Sequence, residues 1–253
     1  MNIFDISLTL LLFLFLLIAS FQKPKILRFK YESLTWSPLL KYQLISFAGV
    51  LLINVFVIVV HSKTLVEIYI KTSFSLLVLG AGFWISFGKS ALFKIGILLV
   101  CGVVILLRFL IPSQITHNLF LVVSLFWLGS FLKSLGILTK KRFIVISLIW
   151  LLYDIIYVWL TPTAHQVFIA SSSIGFPFAF IVGSSSLGSA DLLWATCLIS
   201  VLRHKNIIAR TIGLLIVTNI LLTLLAQNIK FASIFPLLVV WVPLGLILLW
   251  FDH

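Results

Sequence analysis

Apolar runs long enough to cross a bilayer as helices, about 20 residues each, recur along the whole chain and are separated by short charged breaks. They fall at 3–21, 42–61, 68–87, 93–112, 118–137, 143–160, 186–202, 209–226 and 232–250. The pattern predicts an all-α polytopic membrane protein with nine transmembrane helices. It leaves no length for a soluble domain or a dinucleotide-binding unit. Residues 1–253 therefore form a single integral membrane domain, with 1–137 as a five-helix part and 143–250 as the four helices that follow. Composition agrees. With 62% of residues apolar, 9% charged and a mean hydropathy of +1.27, the chain has too little polar surface to cover a water-exposed globule.

The net charge of +12 has two readings, nucleic acid or membrane. No basic patch interleaved with aromatic residues is present, which excludes the first. Fourteen of the 18 Lys and Arg fall on connections 1–2, 3–4, 5–6 and 7–8 or the adjoining helix ends, leaving Lys63, Lys71, Arg108 and Lys230 on the other side. That bias predicts an N-terminus outside and a cytoplasmic C-terminus. The first run carries Asp5 before its apolar stretch and its basic residues after it (Lys23, Lys25, Arg28, Lys30). It is expected to be a retained span rather than a cleaved signal. The stretch 167–182 is apolar but is interrupted by Ser171, Ser172, Ser173, Gly175 and Pro177. It reads as a loop with an irregular lead-in to the next helix. Cys101 and Cys197 lie inside apolar runs and read as small buried hydrophobes.

Six acids remain to be placed. Asp5 and Asp252 are near the termini, Glu32 is in the first cytoplasmic loop, and Glu67 precedes Lys71 by four residues, a favourable helical ion pair. None of these requires more than an ordinary role. Asp154 and Asp191 differ, because each lies inside a span, where a carboxylate is costly unless paired, hydrated or neutral. Spans six and seven run antiparallel. Asp154 is about 9 Å before the end of span six and Asp191 is a few residues into span seven, so both sit at similar depth. Two facing carboxyls share one proton, which provides a base and an acid in one site. The ordinary alternative is an interhelical hydrogen bond from a protonated Asp to Ser172 or Ser189.

Tyr153-Asp154, then Gly188-Ser189-Ala190-Asp191, then Pro236-Leu237-Leu238 resemble, in order, the three signatures of the presenilin and signal peptide peptidase family. Those are Tyr-Asp on helix six, Gly-x-Gly-Asp on helix seven and Pro-Ala-Leu on helix nine. The second proline, Pro243, is similar to the signal peptide peptidase branch, and the resemblance covers roughly residues 140–250. It implies a nine-helix presenilin-like fold with the catalytic helices at 143–250. The implied activity is intramembrane aspartyl proteolysis, with Asp154 and Asp191 activating a water. Tyr153, Gly188, Ser189, Ala190, Pro236, Leu237 and Leu238 would line the substrate site. Transmembrane or signal-peptide helices would be the substrates, and the bilayer the other partner.

Two positions depart from the family. Ala190 stands where the family has Gly and adds a methyl group beside the acid, and Leu237 stands where it has Ala and adds bulk. No cofactor or metal is expected: no His/Cys/carboxylate spacing suits zinc, no phosphate cradle is present, and no serine elbow accompanies the run at Ser171. The competing readings are a catalytically silent relative acting as a membrane scaffold or chaperone, and a proton-coupled transporter. The transporter would need a matching acid in each half, whereas both mid-span acids lie in the C-terminal half.

Overall fold

A computed structural model describes residues 3–22, 63–156, 179–182, 185–229 and 237–252, together with Ile169, Ser172 and Gly175. Its helices are α1 (Ile3–Ser20), α2 (Lys63–Ser86), α3 (Ala91–Leu110), α4 (Gln114–Leu125), α5 (Leu128–Ser134) and α6 (Lys140–Asp154). A hairpin of β1 (Ala179–Val182) and β2 (Ser185–Gly188) follows, and then α7 (Ser189–Val201), α8 (Lys205–Ile229) and α9 (Leu238–Phe251).

Among the described residues, α1, α2, α3, the nearly continuous α4–α5 pair and α8 are each long and apolar enough to cross a membrane. They coincide with the expected spans at 3–21, 68–87, 93–112, 118–137 and 209–226. Expected span 42–61 lies outside the described residues, as do residues 157–160 of span 143–160 and residues 232–236 of span 232–250. Starts and stops follow local chemistry. Ser90 and Thr139 accept the N–H groups of Phe93 and Arg142 to cap α3 and α6. Ser113 and Thr116 close a reciprocal capping box on α4. Gly88 and Gly136, at φ 75° and 74°, turn the chain after α2 and α5 in a conformation that side-chain-bearing residues rarely adopt.

The helix at the centre is α7. From Trp194 to Val201 every residue is buried, as expected of a helix that is apolar all round. It packs against α5, α1, α4 and α6. Close approach depends on Gly129 of α5, where a Cβ would lie 2.3 Å from the Thr196 carbonyl oxygen. Trp194, Trp241, Phe15, Phe120, Phe143 and Phe180 are the largest fully buried side chains. Their polar edges are bonded across helices: Trp194 Nε1 donates to Ser147 (2.9 Å) and Trp241 Nε1 to Thr218 (3.0 Å). By contrast, α3 exposes Leu92, Leu99, Leu106 and Leu110, a surface suited to lipid rather than water.

The all-helical expectation needs a correction. Residues 179–182 and 185–188, read as loop and then as the start of span seven at 186, pair as antiparallel strands, and the helix begins at Ser189. Irregular backbone is tolerated at membrane depth where protein satisfies its polar groups, and α4 does so here. The Asn118 carboxamide accepts the Ile181 N–H (2.9 Å) and donates to the Ile181 carbonyl (2.6 Å), while His117 Nε2 bonds the Ala179 carbonyl (3.0 Å). The helical parts of α7 and α9, 13 and 14 residues, are accordingly shorter than an unbroken spanning helix.

Other expectations agree with the fold. Cys101 and Cys197 are buried free thiols, and Lys71 pairs with Glu67. Asp252 does not fit its expected ordinary terminal role. It is 1% exposed, and its carboxylate accepts the backbone N–H groups of Arg203 and His204, each at 3.1 Å, just before α8. Lys140 donates to the Asp252 carbonyl and lies 3.9 Å from its carboxylate. One residue thus joins the ends of α9, α7 and α6. Asp5 is likewise buried, at 6%.

Candidate active site

Asp154 is the last residue of α6, and the helix widens into a π turn at Ile155–Ile156 immediately after it. Such single wide turns inside α-helices cluster at functional sites. The Asp154 carboxylate accepts the backbone N–H of Leu238, the first residue of α9. Asp191 is the third residue of α7, and its carboxylate accepts the N–H of Gly188, the N-cap. The two acids are close enough to interact through their charges. Asp154 thus meets the start of α9 at Leu238, more than eighty residues on, and lies within charge range of Asp191 in the Gly-Ser-Ala-Asp segment.

An ordinary role explains part of this arrangement. Each carboxylate takes an N–H at the start of a helix, where donors have no intrahelical acceptor, and Asp191 reaching back to Gly188 is one half of a capping box. Capping does not explain why two acids are set against each other. Nor does it explain Asp154 Oδ2, which is buried and has no hydrogen-bond partner among the described residues. A buried carboxylate oxygen of that kind is expensive and suits a shared proton or a held water.

Gly188 is required by the same geometry. A Cβ there would lie 2.8 Å from Asp191 Oδ2, inside van der Waals contact. Gly188→Ala is therefore expected to displace the Asp191 carboxylate and lower any activity of the dyad about tenfold or more, on the scale of small misplacements at catalytic groups. Activity and melting temperature measured side by side check this: a loss of rate with melting preserved is the expected pattern.

The remaining motif residues are placed as follows. Tyr153 and Ser189 are half-buried, and Leu237 and Leu238 are buried at 7% and 2%. Ala190 is exposed, so its added methyl does not crowd the packed interior. Pro236 lies outside the described residues. Ser172, considered as a partner for the acids, instead lines a cleft beside Arg108. The hairpin was not anticipated, and it leads directly into Asp191. Because Ile181 turns its N–H and carbonyl toward Asn118, antiparallel alternation turns those of Ser186 and the Gly188 N–H away from β1, toward the Asp191 side. Its only hint in the sequence is the β-branched and aromatic run Phe180-Ile181-Val182 before the serines. Among the described residues no group of three His, Cys, Asp or Glu could hold a metal ion. No protein-family model and no curated protein matches the chain.

Proposed function

We propose that this chain is an intramembrane aspartyl protease that hydrolyses peptide bonds within transmembrane or signal-peptide helices. The observation that carries this reading is that Asp154, bonded at the start of α9, lies within charge range of Asp191, bonded at the start of α7, with one Asp154 oxygen left unpartnered among the described residues. In the reaction the pair holds one proton and one water. The ionised acid takes a proton as the water oxygen attacks the scissile carbonyl carbon, and the protonated acid donates to the carbonyl oxygen. Proton transfer to the amide nitrogen then lets the C–N bond break. A helical substrate hides its carbonyls and has to unwind first. The outward edge of β2 at Ser186 runs beside Asp191 and can hold an unwound strand by backbone hydrogen bonds.

In this reading the chain has nine spans and the presenilin-like arrangement, with the N-terminus outside and the C-terminus in the cytoplasm. That orientation favours substrates whose own N-terminus is cytoplasmic. The test is cleavage of a radiolabelled signal-peptide-like helix by the purified full chain in liposomes, with and without an aspartyl transition-state analogue. Cleavage blocked by the analogue supports the reading. An inert chain that still binds the analogue is a silent scaffold, and one that neither cleaves nor binds reopens the transporter reading.

A further inference from the structure

The ribbon that leads into Asp191 is anchored on its other side by two consecutive residues of α4. Asn118 is 7% exposed, and its carboxamide both accepts the Ile181 N–H (2.9 Å) and donates to the Ile181 carbonyl (2.6 Å). His117 is 4% exposed and meets the Ala179 carbonyl through Nε2 at 3.0 Å. Its ring is oriented in turn by Arg108, whose Nε donates to Nδ1 at 3.3 Å. A guanidinium cannot accept, so Nδ1 is the acceptor and Nε2 carries the proton that faces Ala179. Asn118 is the stronger anchor, because two bonds to one strand residue fix both its distance and its direction.

Strand register carries these anchors across the ribbon. Ile181 stands opposite Ser186, and Ala179 opposite Gly188. Gly188 is at once the last residue of β2, the N-cap of α7 and the donor to the Asp191 carboxylate. A shift of β1 along α4 therefore passes through the strand pairing to the N–H that holds the acid. The helix beyond it does not give way, because every residue of α7 from Trp194 to Val201 is buried and packed interiors transmit displacement. Asp191 thus stands at a junction between a ribbon placed by α4 and a helix placed by the core.

We propose that Asn118 is a positioning residue for Asp191, acting through the β1–β2 pairing and Gly188 to set where that carboxyl stands relative to Asp154. Its effect on catalysis rests on the proteolytic reading, whereas its effect on the placement of Asp191 does not.

The test uses the purified full chain with an isotope label at the side-chain carboxyl carbon of aspartate. There are four aspartates, and the signal lost in Asp191→Asn is that of Asp191. Asn118→Gln keeps both hydrogen-bonding groups but carries them one methylene farther out, about 1.5 Å. It is expected to move the Asp191 signal and to leave in place that of Asp252, which is bonded beyond the other end of α7. It is also expected to lower kcat for a helical substrate about tenfold or more, on the scale of small misplacements at catalytic groups. Asn118→Leu, similar in shape with neither hydrogen-bonding group, is expected to have the larger effect, and Asn118→Gln carries the test if that variant does not fold. A merely structural role would lower the melting temperature without moving the Asp191 signal of the folded protein. An unmoved Asp191 signal in folded Asn118→Gln, or a moved one with wild-type kcat, overturns the proposal. A moved signal in a chain whose wild type cleaves nothing supports the positioning while the proteolytic reading fails.

Discussion

Asp154→Asn and Asp191→Asn are each expected to reduce cleavage of a helical substrate about a thousandfold or more while the protein stays folded, as removal of one member of a catalytic unit does. The substitution separates the two roles of these acids. An Asn side-chain oxygen still accepts the N–H of Leu238 or Gly188, so the helix starts at α9 and α7 keep their cap. What Asn cannot do is take a proton from water or hold the proton shared by the pair. Asp→Ala at either position removes both roles and is expected to cost about 1 kcal/mol of stability in addition. Cleavage rates and melting temperatures for all four variants decide the matter. If both Asn variants cleave within tenfold of wild type, the dyad is a pair of caps and the proteolytic reading fails.

The second large effect is structural. Asp252→Ala is expected to lower stability by about 3 kcal/mol, since it leaves the Arg203 and His204 N–H groups without their acceptor and removes the charge 3.9 Å from the partly buried Lys140, which keeps only the backbone carbonyl. For a chain of this length that is a fall of about 6–12 °C in melting temperature. Asp252→Asn keeps one oxygen for the Arg203 and His204 N–H groups but loses the charge facing Lys140, and it should fall between the two. Thermal melts in detergent at constant lipid content measure both. An unchanged melting temperature for Asp252→Ala would falsify the clasp as a source of stability.

Much of the helix pattern was legible because the bilayer demands length and apolarity, which are properties of contiguous sequence. Asp154 and Asp191 stood out for the same reason, as charges where that demand forbids them. The hairpin was not legible, because what satisfies its backbone is Asn118, 63 residues earlier in the chain than Ile181. No local pattern announces that pairing. Asp252, read as an ordinary acid near the terminus, and Arg108, counted only as an outer-side charge, are each buried by partners brought from other segments: Arg203 and His204 for one, His117 and Gly175 for the other. Sequence showed which residues are costly to bury, and only the fold shows which of the others are buried nonetheless. Pro236 remains a sequence-level expectation.

The Asn118 carboxamide fills the place a neighbouring strand would take on β1. The two-stranded ribbon therefore has one sealed margin and can be extended only from β2. Under the proposed function, stoichiometry follows from this: the ribbon would accept a single extended guest and would not template a stack of them. A protease that unwinds helices inside a membrane, as proposed here, would otherwise risk nucleating aggregates of its own unwound guests, and a lone amide side chain would limit that risk to one guest at a time.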